Sequence, residues 1–277
     1  MQATRWMPVV ILALAAACGP ASEDDFLARM AREHRDDSPE TGAADRETPA
    51  RPGEEVTYAR VGDDEITGYL ARPAAASGAA VLVIHEWWGL NDHIRTMVRR
   101  LADEGYLALA VDLYEGEVAA DRDTARKLAT RARDQASRGA ENMRQALAYL
   151  RQELGAEKVG VIGWCFGGGW SLATALDQPE GIDATVIYYG RLVTDPEELA
   201  PLASPVLGIF GALDRGIPVT TVREFEAALD ELGKEASIHV YEGADHAFAN
   251  PTGSRYQAEA AEDAWAKTLA FFAEHLG

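Results

Sequence analysis

Cys165 is the residue whose surroundings best suit covalent chemistry, because it lies in the sequence Gly-Trp-Cys-Phe-Gly-Gly at 163–168. The apolar run before it predicts a buried strand, and the segment 166–176 after it predicts a helix. A nucleophile between a strand and a helix occupies a sharp turn whose neighbours need glycine. The positive end of the helix then favours thiolate over thiol. The pattern predicts a cysteine nucleophile; the alternative is a buried structural cysteine beside glycine-rich packing.

Two further residues complete a candidate catalytic triad. Asp214 follows a short apolar run, and His246 lies in a glycine-rich loop just after another. A histidine in this position suits a general base, and a carboxylate suits the group that orients it. The order Cys165, Asp214, His246 matches the nucleophile–acid–base order of the α/β-hydrolases. Asp245 is a rival acid, which we expect to point elsewhere because it directly precedes the base.

The elements that must position these residues alternate along the chain. Short continuous apolar runs predict strands buried on both faces, at 79–84, 106–111, 159–162, 184–189, 206–210 and 238–241. A hairpin precedes them, with strands at 56–61 and 66–71. Most of these runs are separated by segments whose apolar residues have helical spacing. They predict helices at 92–104, 121–154 with a break near Gly139, 166–176, 219–232 and 256–275. This alternation predicts a mostly parallel sheet of about eight strands with helices on both faces and ligand sites at the carboxyl ends of its strands.

The composition excludes several classes of function. With 47% hydrophobic residues the 277-residue chain can bury a core, so wholesale disorder is excluded. The formal net charge of −19 argues against binding nucleic acid and against electrostatic docking to anionic lipid. Two cysteines are too few for a disulfide framework or a cysteine-rich zinc site.

Residues 1–18 predict an export signal. One charge, at Arg5, precedes an apolar run over 8–17, which is shorter than the roughly 20 residues that span a bilayer. The small residues before Cys18 resemble a bacterial lipobox, so we expect export to the bacterial cell envelope or periplasm with Cys18 as a lipid anchor. The alternative is an ordinary cleaved signal with an incidental cysteine. Residues 19–53, rich in proline and charge, predict a disordered tether, and 54–277 the folded domain.

Four motifs together resemble the dienelactone hydrolase family over about residues 56–276. They are His-Glu-Trp-Trp-Gly-Leu-Asn at 85–91, Val-Asp-Leu-Tyr at 111–114, the cysteine motif at 163–168 and Gly-Ala-Asp-His-Ala-Phe at 243–248. The resemblance implies an α/β-hydrolase fold without a large lid domain. It also implies hydrolysis of a small-molecule ester or lactone by a Cys-His-Asp triad through a thioester, with no metal or organic cofactor.

Carried over residue by residue, the resemblance makes Cys165 the nucleophile, His246 the base and Asp214 its orienting acid. Glu86 matches the family's glutamate that contacts the resting thiol. The oxyanion hole is implied to be the backbone N–H groups of Trp87 and Phe166. The resemblance assigns no role to His85, which we expect to be a packed supporting residue.

The sequence departs from the family where the substrate is gripped. Two family arginines bind a substrate carboxylate, and their places are taken here by Gly116 and Asn250. Neither offers the guanidinium fork that suits a carboxylate, so we expect neutral or weakly polar esters and lactones. Arg191 and Arg215 are candidates for a replacement charge. The remaining candidate substrate contacts are Trp88, Tyr114 and Asn250.

Three other functions stay open. The first is hydrolysis of a different acyl bond, cyclic or peptide-like. The second is a binding or scaffold protein at the cell envelope without turnover, against which the intact Cys, Asp, His and glycine turns speak. The third is a redox-sensing thiol protein, which would need a resolving cysteine that the chain lacks once Cys18 is committed.

Overall fold

The computed structural model describes residues 52–75 and 77–277. The predicted export signal with Cys18, and nearly all of the predicted tether, lie outside the described residues. Among the described residues, no helix combines the length and the apolar character needed to cross a membrane.

One eight-stranded sheet forms the framework, with the spatial order β1-β2-β4-β3-β5-β6-β7-β8. The first two strands pair antiparallel, β2 pairs antiparallel with β4, and the other neighbours are parallel. This confirms the predicted mostly parallel sheet of about eight strands. The strands are β1 Gly53–Val61, β2 Asp64–Ala71, β3 Ala79–Ile84, β4 Leu107–Val111, β5 Lys158–Trp164, β6 Ala184–Tyr188, β7 Val206–Gly211 and β8 Ala236–Tyr241.

Helices cover both faces of the sheet, and each face has its own apolar core. Strands β3 and β7 are buried along their whole length because both of their faces are covered. No large lid domain interrupts the alternation within the described ranges, in agreement with the prediction. The helices are α1 Asp92–Asp103, α2 Arg122–Asp134, α3 Ala136–Ala148 with a π-helical turn at Tyr149–Glu153, α4 Phe166–Asp177, α5 Pro196–Leu199, α6 Val219–Glu231 and α7 Ala258–Leu276.

The predicted helix break near Gly139 is wrong. The chain breaks instead at Gln135, which ends α2 and begins α3, while Gly139 lies inside α3. A Cβ at Gly139 would lie 2.4 Å from a ring carbon of Trp170 in α4. Gly139 therefore provides space for an aromatic ring of the neighbouring helix and does not end its own helix.

Candidate active site

The turn between β5 and α4 holds Cys165 in a strained conformation, with φ 56° and ψ −115°. Residues with a Cβ rarely adopt such a positive φ. A Cβ at Gly163 would lie 2.1 Å from the carbonyl oxygen of Gly167, and one at Gly167 would lie 2.3 Å from the carbonyl oxygen of Ile84. Gly163 and Gly167 are therefore both required by close backbone contacts. Cys165 is a free cysteine and is 1% exposed.

His246 and Asp214 form a fully buried pair beside this turn. The distance from His246 Nδ1 to Asp214 Oδ2 is 2.7 Å, and both side chains are 0% exposed. The other oxygen of Asp214 accepts hydrogen bonds from the backbone N–H groups of Gly216 at 2.8 Å and Ile217 at 2.9 Å. The rival acid Asp245 instead accepts from the backbone N–H of His246 at 2.7 Å. The imidazole is thus oriented by Asp214.

The charges around His246 favour its protonated form. Burial acts to lower the pKa of this histidine, but the Asp214 carboxylate and the Cys165 sulfur outweigh burial, and hydrogen bonds to both residues add to their effect. The pKa of His246 is therefore well above its ordinary value of 6.5. The three candidate residues Cys165, His246 and Asp214 therefore come together as one connected group.

Glu86 and Cys165 follow two neighbouring parallel strands. Ile84 of β3 pairs with Gly163 of β5, and Glu86 and Cys165 each come two residues after this pair, at the same edge of the sheet. Glu86 is buried, and the Nδ2 of Asn250 donates a hydrogen bond to its carboxylate at 2.5 Å. The Oδ1 of Asn250 accepts from the backbone N–H and the hydroxyl of Thr252. Asn250, at the place of a family arginine, is thus engaged inside the protein.

The oxyanion-hole candidates lie on either side of His85. This histidine is fully buried, and its ring stacks on Phe166 at 5.7 Å and meets Tyr114 edge-on at 4.6 Å between ring centroids. Its Nε2 accepts a hydrogen bond from the backbone N–H of Leu113 at 3.2 Å, and its Nδ1 lies 2.6 Å from the carbonyl oxygen of Glu86. Burial lowers the pKa of His85, so the ring is neutral with its proton on Nδ1.

The predicted substrate contacts separate into buried and peripheral residues. Trp88 is buried against the ring of Trp87 at 5.0 Å. Tyr114 is fully buried, and its pKa is raised well above its ordinary value by burial and then by its Coulombic interaction with Cys165. Arg191 packs against Gly169 at the start of α4, and Arg215 is exposed.

Tyr189 is a site residue that the sequence analysis missed. Its ring centroid lies 5.2 Å from that of His246, and its buried hydroxyl has no hydrogen-bond partner among the described residues. Burial, and then the charges of Glu86 and Cys165, raise its pKa well above the ordinary value of 10. The Tyr-Tyr-Gly segment after a buried run was the available signal, although the sequence does not show which tyrosine faces the base.

Arg255 was also missed. It lies in the loop after Asn250, is partly buried, and carries a positive charge that opposes the rise in the pKa of Tyr189. The guanidinium of Arg255 therefore acts electrostatically on the same phenol as Glu86 and Cys165. Arg191, by contrast, acts on the carboxylate of Glu198.

A separate cluster of potential metal ligands lies elsewhere. Among the residues that the structure describes, Glu235, Glu274 and His275 bring their ligand atoms within 4.8 Å of one another at the end of α7. Both carboxylates are exposed, and exposed acidic groups commonly lie together without a metal.

Comparison with known proteins places these features in one family. Residues 66–276 match the model of the dienelactone hydrolase family. A Saccharolobus solfataricus protein named "Putative carboxymethylenebutenolidase" is 31% identical over 248 residues, which cover 75% of this chain and 93% of that protein. A Salmonella typhimurium protein of the same name is 34% identical over 229 residues, with 77% and 84% covered.

Solved structures agree with the sequence comparison. The crystal structure of a "Putative Dienelactone Hydrolase" from Klebsiella pneumoniae is 32% identical with a TM-score of 0.72, covering 81% of this chain and 99% of that one. A dienelactone hydrolase-like promiscuous phosphotriesterase from metagenomic libraries is 26% identical with a TM-score of 0.73, covering 82% and 100%.

Proposed function

Since the chain belongs to the dienelactone hydrolase family and is an ester or lactone hydrolase, we propose that it acts through Cys165, His246 and Asp214 by way of a thioester. The observation that carries this proposal is the buried 2.7 Å contact between His246 Nδ1 and Asp214 Oδ2 beside the strained turn of Cys165. A buried carboxylate on the far side of an imidazole stabilises the imidazolium and fixes its orientation.

The reaction proceeds in two acyl transfers. The Cys165 thiolate attacks the carbonyl carbon, and the backbone N–H groups of Trp87 and Phe166 stabilise the oxyanion. When the intermediate collapses, the carbon–oxygen bond breaks and the leaving alkoxide takes the proton from Nε2 of His246. Water then attacks the thioester while His246 accepts its proton, and the acid leaves as the thiolate is restored.

The oxyanion hole supplies much of the rate in such a scheme. Losing one donor from an oxyanion hole costs about 10²–10³ in kcat. The two proposed donors come from different elements, since Trp87 follows β3 and Phe166 begins α4. Their spacing is set by the β3–β5 pairing and by the close contact of Gly167 with the backbone of Ile84 and His85.

Glu86 is proposed to hold the resting enzyme in a less reactive state. The resemblance implies that Glu86 contacts the resting thiol, and a carboxylate there opposes thiolate formation by like-charge repulsion. Asn250 holds that carboxylate through a neutral amide, whereas the family pattern has an arginine at this place. Displacement of Glu86 by the substrate then removes the repulsion when the thiolate is needed.

The substrate is proposed to be a neutral or weakly polar ester or lactone. The positions at which the family has arginines that bind a substrate carboxylate are occupied here by Gly116 and Asn250. The N–H of Gly116 donates to Asp112, and the side-chain amide of Asn250 donates to Glu86. Neither provides a bidentate contact to a substrate carboxylate. We also propose, from the sequence alone, that the protein is exported and lipid-anchored at Cys18.

The test is turnover of p-nitrophenyl acetate by the full chain and by Cys165→Ala. We expect the alanine variant to lose ester turnover while keeping its thermal midpoint, because the change removes one sulfur at a turn. Cys165→Ser should retain weak activity, because a hydroxyl ionises less readily and depends more on His246. Cys18→Ala, which changes the chain's other cysteine, is the control and should keep full activity.

Two results would overturn the proposal. An alanine variant with near wild-type kcat would reject Cys165 as the nucleophile. Absence of turnover by the wild type across a panel of neutral esters and lactones would instead favour the binding or scaffold alternative.

A further inference from the structure

His85 links the loop that carries one donor of the proposed oxyanion hole, Trp87, to the loop that follows β4. Its Nδ1–H donates to the carbonyl oxygen of Glu86 at 2.6 Å, and its Nε2 accepts from the backbone N–H of Leu113, just after β4, at 3.2 Å. The acceptor role of Nε2 fixes the tautomer, because a neutral imidazole carries only one proton. The ring thus makes two directional hydrogen bonds and has no capacity for a third.

The carbonyl that His85 binds shares its peptide group with the N–H of Trp87. The described residues contain no cis peptide bond, so the C=O of Glu86 and the N–H of Trp87 point in opposite directions. The carbonyl oxygen is fixed by two donors, His85 Nδ1 at 2.6 Å and the backbone N–H of Gly89 at 3.1 Å. Together these two bonds set the orientation of the peptide and hence of the Trp87 N–H.

The same imidazole also contacts the second proposed donor residue. Its ring stacks on Phe166 with centroids 5.7 Å apart and an interplanar angle of 13°. Tyr114 closes the other side edge-on at 4.6 Å. His85 is 0% exposed, so neither water nor an alternative rotamer competes for these contacts.

We propose that His85 is a positioning residue for the oxyanion hole: its Nδ1–H fixes and polarises the Glu86–Trp87 peptide so that the Trp87 N–H is aimed at the developing oxyanion. A hydrogen bond to a peptide carbonyl strengthens the donor on the same peptide, because chained hydrogen bonds polarise one another. This inference rests on the proposed function, since it assumes that Cys165 attacks a carbonyl whose oxygen becomes charged.

Two variants with amide side chains each keep one of the two hydrogen bonds of His85 and lose the other. In His85→Asn the side-chain amide nitrogen takes the place of Nδ1 and can still donate to Glu86 O, while the contact with Leu113 is lost. In His85→Gln the longer side chain reaches the place of Nε2, so it keeps the contact with Leu113 and loses the donor to Glu86. His239→Asn, at a half-buried position of the edge strand β8, is the matched control for loss of a histidine and should leave kcat/KM within about twofold.

The readouts are kcat and KM for p-nitrophenyl acetate and the Ki of a trifluoromethyl ketone, which forms an oxyanion on the nucleophile. Misdirecting one donor should cost less than the 10²–10³ of losing it, so we expect about a 10–100-fold fall in kcat for His85→Gln with KM nearly unchanged. The Ki of the ketone should rise by the same factor. His85→Asn should retain most of kcat, which is the rescue that a purely space-filling role would not produce.

The results of these assays either support or overturn the positioning role of His85. Equal losses in the Asn and Gln variants, or a Gln variant whose Ki does not follow its kcat, would overturn the role of the Nδ1 donor. Rates are normalised to the folded fraction measured by near-UV circular dichroism, so a partly folded variant still gives a result. A wild type without ester turnover would reject the proposed function itself, whereas an active wild type with an equally active His85→Gln would reject only this inference.

Discussion

Replacing Asp214 by asparagine tests the proposed triad most directly. The Oδ1 of Asp214 is held by two backbone N–H groups at 2.8 and 2.9 Å, and its Oδ2 faces Nδ1 of His246 at 2.7 Å. An asparagine that keeps the two backbone bonds must turn its NH₂ group toward the ring. The amide N–H of the asparagine and the Nδ1–H of the imidazolium are then two donors that face each other. This unfavourable contact favours a neutral ring that is protonated on Nε2. That ring cannot accept a proton from Cys165.

The size of the effect follows from these contacts. Turning the amide over would sacrifice two backbone hydrogen bonds to regain one, so the unfavourable contact with His246 persists. In serine triads the same change costs about 10⁴ in kcat. A thiol ionises more readily than a hydroxyl, so we expect a loss of about 10²–10³, or roughly 3–4 kcal/mol of transition-state stabilisation.

The pH profile gives an independent measure. The pKa of His246 is raised chiefly by Asp214 against the lowering effect of burial, so it falls in Asp214→Asn. The reactive pair needs a protonated imidazole, so activity is lost as the pH rises through this pKa. The alkaline limb of kcat/KM should therefore lie well above pH 6.5 in the wild type and move to lower pH in the variant.

The assay is hydrolysis of p-nitrophenyl acetate by Asp214→Asn and Asp245→Asn between pH 5 and 10. The second variant is the matched control, because Asp245 lies one residue from His246 but binds only its backbone N–H. We expect Asp245→Asn to stay within about threefold of the wild type. An Asp214 variant with wild-type kcat, or equal losses in the two variants, would refute the assignment of the acid.

Three further predictions follow from the site and the sequence. Glu86→Gln should make resting Cys165 react faster with iodoacetamide at neutral pH, since like-charge repulsion is removed; an equal or slower rate contradicts this. A neutral phenyl ester should exceed a carboxylate-bearing lactone in kcat/KM by about 10–100-fold, the worth of one charge-assisted contact. A preference for the anionic lactone would refute that prediction. If that preference then disappeared in Arg255→Gln, Arg255 would be identified as the cation that binds the substrate carboxylate. Cys18→Ala should move the protein out of the membrane fraction in a bacterial host, and unchanged fractionation speaks against the anchor.

Much of the fold could be predicted because its strands are buried on both faces. A strand covered by helices on both sides becomes a continuous apolar run, so β3 has the predicted limits of 79–84. Helix α6, predicted at 219–232, ends one residue earlier because amphipathic spacing marks a helix better than its last turn. Helix α5 escaped prediction because four residues are too few to show a period.

The site was predictable to the extent that its residues follow strands. Cys165, Asp214 and His246 each come soon after a strand, and parallel strands bring such positions to one edge of the sheet. The hydrogen bond between Asn250 and Glu86 had no such signal, because it joins residues 164 positions apart through the path of a loop. The error at Gly139 has the same origin, since the ring that it accommodates lies in another helix.

Among the described residues, backbone strain is concentrated at the edge of the sheet where the parallel strands end. Four residues other than glycine have a positive φ: Glu115, Cys165, Tyr189 and Ala247. Each follows a strand, and the last three are the proposed nucleophile, the tyrosine beside the proposed base and the residue after that base. Glycine would relieve strain of roughly 1–3 kcal/mol at such a position, yet here a Cβ is present at each.

The side chains explain why this strain is retained. Glycine at Cys165 or Tyr189 would remove a functional group, and glycine after His246 would loosen the loop that aims the imidazole. The cost is offset by buried strands and by backbone contacts too close for any Cβ, such as Gly163 against Gly167. The rigid sheet therefore holds the nucleophile and the base in place before any substrate binds, and such preorganisation is the main requirement for stabilising a developing oxyanion.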